Sequence, residues 1–510
     1  MMHVYKAISY FCILHPAFLF GVSFLLGTYA AFYPPSYLVL PAVCLWSPLV
    51  ILPIRKENSN YRLLAANMIF FLLAWGYTSF FYTDLELPPK GINGKAHISI
   101  ESISYQITQF SKKWKYECTI KNFFSKDDQL LYQSIPCTII LKEVEGLSRP
   151  LADQEYLING QLIKNSHGRI ELNPSKEWHL VQDSWSLAEW RFQFKQKIKT
   201  WIQSRFSRPS TAALLTGLIT GEFEDLTFRQ LFSRFGLQHI LAISGFHFNL
   251  FAGVCSLLLR CILSRRMMGL CIIISMSLYA FMLGKNPSVM RAWIMICLPL
   301  MGSYFEKKAN SLNLLGVSLL CLLAFEPAFA LSLTFQLSFM VTGAILLAYH
   351  PAQKIVYRIF PKQTLAQVIK MPSWDQHGYC ILSLFREGMT LSLAVNLFAL
   401  PLSLFYFQQF QWMGIIYNFF FPALISISFS LFFLGFLFQF IPHLEGLIHE
   451  INQKFSETAL MTLYHFPETL DMTLSEVYLP IEWLLAYLSI LFMGLLFWHG
   501  SNEIKSCQGP

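Results

Sequence analysis

Residues 237–259 read LQHILAISGFHFNLFAGVCSLLL, a mainly apolar stretch that is followed directly by Arg260. A helix needs about 20 mainly apolar residues to cross the roughly 30 Å hydrocarbon core of a bilayer. The stretch therefore predicts a membrane-spanning helix. Similar apolar runs recur at 11–32, 37–54, 63–82, 267–283, 289–305, 312–325, 329–349, 389–407, 412–440 and 479–498. We expect a polytopic α-helical membrane protein.

The composition agrees with repeated spanning. Of the 510 residues, 54% are hydrophobic and 13% are charged, whereas soluble domains carry about 25% charged residues. This balance excludes an ordinary cytosolic enzyme. The first apolar run follows Lys6 and resembles a secretory signal, but two further runs follow closely and favour a retained first span.

Basic residues predict the orientation of the chain. The formal net charge is +8, and cytoplasmic loops of membrane proteins are enriched in Lys and Arg. Alternating the spans places every basic cluster on one side, namely Arg55, Lys56 and Arg62, then Arg260, Arg265 and Arg266, then Lys307 and Lys308, then the loop 354–386. We predict a multi-pass protein of the inner (cytoplasmic) membrane, with the region after Tyr82 on the far side.

The polar region 83–185 breaks the apolar pattern. Short alternating segments at 95–103, 113–121, 134–143, 155–163 and 169–172 are separated by turn residues. About five short strands suit a small extracytoplasmic β-barrel or a sandwich, and an OB-like barrel is among the alternatives. Cys118 and Cys137 lie on neighbouring predicted strands, where an oxidising compartment would allow a disulfide. The pairing stays open.

The segment 186–208 predicts an amphipathic helix on the membrane surface. Trp190, Phe194, Ile198 and Trp201 recur at helical spacing among basic residues. A helix that grips lipid headgroups is favoured over one that also guides nucleic acid. We divide the chain into N-terminal spans (1–82), the β domain (83–185), this helix (186–208), a multi-span domain (209–500) and a short tail (501–510). Within the multi-span domain, 209–221 is a re-entrant or interfacial candidate and 444–470 a surface helix.

Polar side chains interrupt several predicted spans. Polar groups at membrane depth are costly unless they are paired, so they mark functional sites by default. They could line an aqueous path, although close helix packing and capping explain them nearly as well. The residues concerned are His239, Ser244, Gly245, His247, Asn249, Arg291, Gln336, Asn396 and Asn418.

The blocks at 236–249, 287–292, 335–339 and 418–422 match the competence domain of the ComEC family in order and spacing, and the chain resembles that family over nearly its whole length. Family members have N-terminal spans, an extracytoplasmic OB-like domain and a multi-span domain thought to pass one DNA strand into the cytoplasm. The resemblance implies a channel for single-stranded DNA uptake during natural transformation (competence). It also implies an extracytoplasmic DNA receptor and a cytoplasmic helicase as partners, and it leaves a homo-oligomer open.

The sequence departs from the family pattern in two places. Many members continue into a metallo-β-lactamase-like domain with a His-x-His-x-Asp-His motif, which this sequence does not contain. We therefore expect no nuclease activity, no metal site and no cofactor. Where the family tends to show Gly-Asp-Arg, residues 217–222 read GLITGE.

A basic and aromatic segment in the β domain predicts a DNA contact. Lysines and aromatic rings together can grip phosphates and stack on unpaired bases. The alternative is an ordinary exposed strand with solvated lysines. The segment comprises Lys112, Lys113, Trp114, Lys115 and Tyr116.

Two other functions compete with a DNA channel. An intramembrane hydrolase would use Ser244 with His247 or His239, but the sequence there shows no Gly-x-Ser-x-Gly elbow and no neighbouring acid. A transporter of another polyanion or of a lipid is the third reading. The sequence contains no Gly-x-x-x-x-Gly-Lys-Ser/Thr phosphate loop, so a partner would have to supply ATP-driven pulling.

Overall fold

The computed structural model describes residues 10–33, 37, 38, 41, 42, 46, 59–81, 88, 91–107, 112–125, 127–143, 149–164, 170–181, 184–224, 226–241, 245–260, 262–467, 473–475 and 478–507. The chain begins with two apolar helices, α1 (Pro16–Phe32) and α2 (Ser59–Phe81). They approach closely, because a Cβ on Gly27 would lie 2.2 Å from the Phe71 carbonyl oxygen. Most of the run predicted at 37–54 lies outside the described residues.

Five strands follow and form a closed barrel: β1 (Ile92–Ile107), β2 (Lys112–Ser125), β3 (Leu130–Lys142), β4 (Tyr156–Lys164) and β5 (Ile170–Leu180). Their order around the barrel is β1-β2-β3-β5-β4, and β1 pairs with both β2 and β4. The β3–β5 pair is parallel, whereas the others are antiparallel. The predicted small β-barrel is confirmed, and the sandwich alternative is not the observed architecture.

The barrel core comes from alternate strand residues, as a period of two requires. Ile98, Tyr116, Ile120 and Ile158 are fully buried there. Cys118 and Cys137 are directly opposite each other on β2 and β3, and both are buried free thiols. Their oxidation stays a prediction.

Helices make up most of the remaining chain. They are α3 (Ala188–Arg205), α4 (Pro209–Thr220), α5 (Leu226–Arg234), α6 (Gln238–Leu241), α7 (Gly245–Leu259), α8 (Arg265–Leu283), α9 (Pro287–Tyr304), α10 (Ser311–Phe325), α11 (Leu333–Ile359), α12 (Leu365–Ile369), α13 (Ser373–Phe407), α14 (Met413–Leu437), α15 (Pro442–Tyr464) and α16 (Ile481–Cys507). Two short strands, β6 (Gln409–Gln411) and β7 (Thr473–Ser475), pair beside α14 and α15.

Six helices among the described residues are long and apolar enough to cross a membrane, namely α2, α8, α11, α13, α14 and α16. The predicted polytopic α-helical membrane protein is thereby confirmed. The span predicted at 389–407 is the second half of the longer helix α13. The helix predicted at 444–470 is observed as α15, which packs along α14 through buried hydrogen bonds among Ser428, Asn452 and Ser456.

Helix α3 joins the barrel to the helical part. At its start, Phe192 packs into the barrel core, and the Arg149 guanidinium donates to the Glu189 carboxylate through both terminal nitrogens, at 2.9 and 2.6 Å. At its end, Arg205 forms an ion pair with Glu445 of α15. Hence α3 holds fixed contacts at both ends.

Candidate functional site

The starts of α9 and α11 lie side by side. Asn286 caps α9, because its side chain accepts a hydrogen bond from the Ser288 amide at 3.0 Å, and Ser332 caps α11 by accepting from the Phe335 amide at 3.2 Å. The Ser288 hydroxyl then donates to the Thr334 carbonyl oxygen at 3.1 Å. These caps and this bond fix the register of the two helices.

Arg291 lies about one turn further along α9 and is only 8% exposed. Its Nε donates to the Ser338 hydroxyl at 2.8 Å, and its Nη1 donates to the Thr342 hydroxyl. The guanidinium also lies 6.0 Å from the centre of the Phe339 ring. Among the described residues, no carboxylate forms an ion pair with it.

This environment makes Arg291 an anion acceptor. A guanidinium stays protonated in proteins, and a buried charge is costly unless it is paired and hydrogen-bonded. Hydroxyl groups satisfy some of its N–H donors but bring no negative charge. An anion that reached Arg291 would therefore gain a charge-assisted contact that the resting protein leaves unmade.

Gly245 makes room for this guanidinium. A Cβ built on Gly245 would lie 2.5 Å from Nη2 of Arg291, which is closer than real Cβ contacts. Since Gly245 begins α7, the starts of α7, α9 and α11 meet at one point. The sequence brought Gly245 and Arg291 forward as site residues, and the structure places them in contact distance.

A cavity of about 560 Å³ lies at this end of the three helices. Polar and basic side chains contribute to its wall, together with apolar ones. They are Lys195, Arg229, Gln230, Ser233, Gln238, Asn286 and Thr334. Lys195 forms an ion pair with Glu222, whereas Arg229 has no ion pair within the described part of the chain. We call this space the mouth cavity.

The other predicted path residues have separate surroundings. Gln336 donates to the Ala330 carbonyl and accepts from the Tyr406 hydroxyl, and Asn396 donates to Ser392 in its own helix. His247 is buried on α7, 6.4 Å from the Phe429 ring centre. These three residues do not contact Arg291.

The remaining predicted path residues are spread over three segments. His239 lies on the short helix α6, whereas Asn249 and Asn418 are exposed on α7 and α14. Ser244 lies outside the described residues. The polar path predicted from the sequence thus stays a prediction for these members.

The sequence did not single out Thr342, Lys195 or Arg229 as path residues. Thr342 follows Ser338 by four positions on α11, the spacing at which helix side chains share a face. That spacing could have identified it. Lys195 and Arg229 come from helices far apart in sequence, so only the tertiary fold brings them to one cavity.

In the barrel, the five DNA-contact candidates have different positions. Tyr116 is fully buried, and its hydroxyl donates to the Pro150 carbonyl, so its ring is not on the surface. Trp114 packs between Tyr105 and Phe192. Lys115 forms an ion pair with Glu117 at 2.8 Å. Lys112 and Lys113 have no ion pair with the residues described, and Lys112 is exposed.

Comparison with known proteins adds a family to this geometry. A family model described as "Competence protein" matches residues 218–501. The curated "ComE operon protein 3" of Bacillus subtilis (strain 168) is 27% identical over 209 residues, which are 40% of this chain and 23% of that protein. The match thus spans less than a quarter of the relative's length. No solved structure shows significant similarity to the chain.

Proposed function

The chain belongs to the ComEC competence-protein family, and from that premise we propose that it forms a membrane channel for uptake of single-stranded DNA during natural transformation. The observation that carries the proposal is Arg291, a buried guanidinium held by hydroxyl groups and lying near a cavity with further basic residues. A DNA strand is a polyanion, and phosphate is the anion that a guanidinium binds with two parallel hydrogen bonds.

The polar groups support passage rather than permanent binding. Conduction requires sites that attract the permeant group yet release it. Arg291 supplies one positive charge, and Ser338 and Thr342 supply neutral partners. A phosphate that arrived at Arg291 would share the guanidinium with these hydroxyls and could leave as the next phosphate approached. This arrangement suits a chain of successive phosphates.

The barrel supplies the outer contact in this proposal. Lys112 and Lys113 are the basic residues of β2 without an ion pair in the part of the chain that the structure describes. They would gather phosphates on the outer side through long-range attraction, which depends on salt. A DNA receptor outside and a helicase inside would deliver and draw in the strand, since the sequence has no phosphate-loop motif of its own.

The test is deletion of the gene in its host, followed by complementation with the intact chain. Labelled double-stranded DNA is offered, and surface-bound label is scored separately from label protected against added DNase. We expect deletion to abolish the protected label and leave surface binding, and complementation to restore protection. Unchanged protection in the deletion strain would contradict the proposal and favour another polyanion or a lipid as substrate.

A further inference from the structure

The loop between α4 and α5 is attached to α3 by two ion pairs. The Lys195 ammonium lies 2.7 Å from a Glu222 carboxylate oxygen, and the Lys199 ammonium lies 2.6 Å from one of Glu224. All four side chains are at least three-quarters buried, with 12% and 18% exposed in the first pair and 25% and 14% in the second. The lysines are four residues apart and therefore share one face of α3.

This loop also forms part of the wall of the mouth cavity. Thr220, Gly221 and Phe223 line the cavity together with Lys195. Gly221 ends α4 in the left-handed region, with φ of 77°, which lets the chain turn back sharply. Phe223 stacks on Phe228 at 5.9 Å, so the loop has an apolar anchor of its own. Glu222 and Glu224 flank that anchor in sequence and both bind α3.

The two carboxylates occupy the lysines as a phosphate would. Phosphate and carboxylate oxygens are the usual partners of a lysine ammonium. Lysines four residues apart on a helix have Cβ atoms about 6 Å apart, a separation that long side chains can match to neighbouring phosphates of one strand. Arg229 lines the same cavity without an ion pair among the described residues, so the cavity keeps a positive charge for an arriving anion.

The cost of keeping Glu222 charged favours exchange. Burial raises the pKa of Glu222, and the nearby Lys195 ammonium only partly offsets that effect. An isolated Lys–Glu pair contributes about 0 to 1 kcal/mol when it is partly exposed. A strand with several phosphates can therefore replace both carboxylates.

Resting on the proposed function, we propose that Lys195 and Lys199 bind successive phosphates of the incoming single strand, and that Glu222 and Glu224 occupy this site until DNA displaces them. The loop then closes the lysine site in the resting channel and opens it when a polyanion is present. The cation pairs at the far end of the helix, including Arg205 with Glu445, do not line the cavity and keep their partners.

The test uses the full chain in non-ionic detergent and a fluorescently labelled single-stranded oligothymidylate, with binding followed by anisotropy at several salt concentrations. We expect E222Q/E224Q to bind about threefold to tenfold more tightly than the wild type, because the competing carboxylates are gone. The matched control is E450Q/E457Q, which adds the same charge and breaks Lys454 and Arg208 ion pairs on α15. The control should bind like the wild type.

The lysines supply the second arm. K195Q/K199Q should weaken binding about tenfold or more and reduce the slope of log K against log salt by about 1.4, since each phosphate contact on a single strand contributes about 0.7. K195R/K199R keeps both charges and should retain the wild-type slope. Gel filtration of each variant shows whether it is folded, and the arginine variant gives a result even if the glutamine variant is not.

The outcomes separate this site from the channel itself. If the wild type binds the oligonucleotide while E222Q/E224Q matches E450Q/E457Q, or while K195Q/K199Q keeps the wild-type slope, the lysine site is overturned and the channel proposal stands. If added phosphatidylglycerol occupies the lysines and the oligonucleotide does not, the site takes lipid headgroups and the inference is likewise overturned. A wild type that neither binds DNA nor restores DNase-protected uptake overturns the channel proposal.

Discussion

Helix α3 and the start of α9 both carry basic residues, but they hold them in opposite ways. On α3, Lys195, Lys199 and Arg205 each form an ion pair with a glutamate from another part of the chain. On α9, Arg291 is bound by the hydroxyls of α11. The charge on α3 is balanced inside the protein, whereas the charge of Arg291 is not.

The comparison shows why counting basic residues does not locate a DNA path. The basic face of α3 suggested a helix that grips headgroups or guides nucleic acid, yet most of its cations serve contacts within the protein. A guanidinium with neutral partners offers more to an incoming anion, because no carboxylate has to be displaced first. The predictions below test this difference, from the largest expected effect to the smallest.

Loss of the charge at Arg291 should have the largest effect. Hydrogen bonds to charged groups contribute about 1.5 to 3 kcal/mol, so R291Q should reduce DNase-protected uptake roughly 10- to 100-fold. R291K keeps the charge but not the planar fork and should lie between R291Q and the wild type. Surface binding should not change. Equal uptake by all three at matched membrane levels would contradict a role for this guanidinium.

A glycine pair on α7 tests the position of Arg291 without altering its charge. G245A should reduce protected uptake several-fold, because the new Cβ would displace the guanidinium from 2.5 Å. G253A is the matched control on the same helix, since a Cβ there meets nothing within 4 Å. If both variants took up DNA equally well, the contact between Gly245 and Arg291 would be irrelevant to transport.

The outer lysines should have a smaller effect, and on a different step. We expect K112Q/K113Q to lower surface binding of DNA about twofold to threefold at moderate salt and to make it less sensitive to salt. The fraction of bound DNA that becomes protected should stay the same. K95Q, which breaks the exposed ion pair with Asp128 on the same barrel, serves as the control. A change in the protected fraction would remove the barrel from the binding step.

The smallest effect concerns the junction of barrel and helix. Burial alone would raise the pKa of Glu189, but hydrogen bonds from Arg149, the Ala152 amide and Gln193 outweigh burial and hold the pKa below 4.5. The stabilisation is therefore present above about pH 4.5 and is lost as the pH falls through the folded pKa. E189Q should lower the melting temperature by a few degrees at pH 7, and the difference from the wild type should shrink as the pH falls below 4.5. Tryptophan fluorescence of the purified chain measures it.

Much of the fold could be predicted because its signals are local. Apolar runs predicted the spans, and alternation predicted the strands. Alternation also bears on the barrel site, since Trp114 and Tyr116 are two residues apart and share the face opposite Lys113 and Lys115. The set of five could not form one DNA-binding face, and the structure accordingly buries Tyr116.

The partners of the charged residues could not be predicted. Glu222, Glu224 and Glu445 lie 25 or more positions from the cations they bind, and nothing in a local pattern links them. Arg291 was found because an arginine in an apolar run is rare and costly. Its partner Thr342 is 51 positions away and required the packing of α9 on α11.

The most direct test places a photo-crosslinking amino acid in the mouth cavity and asks whether entering DNA reaches it. Thr334 lines the cavity, whereas Ile490 is 70% exposed on the outer face of α16 and serves as the control position. Irradiation during uptake of labelled DNA should give a crosslinked single strand from position 334 and none from position 490. Crosslinks at neither position while DNA is being internalised, or equal crosslinks at both, would contradict a path past Arg291.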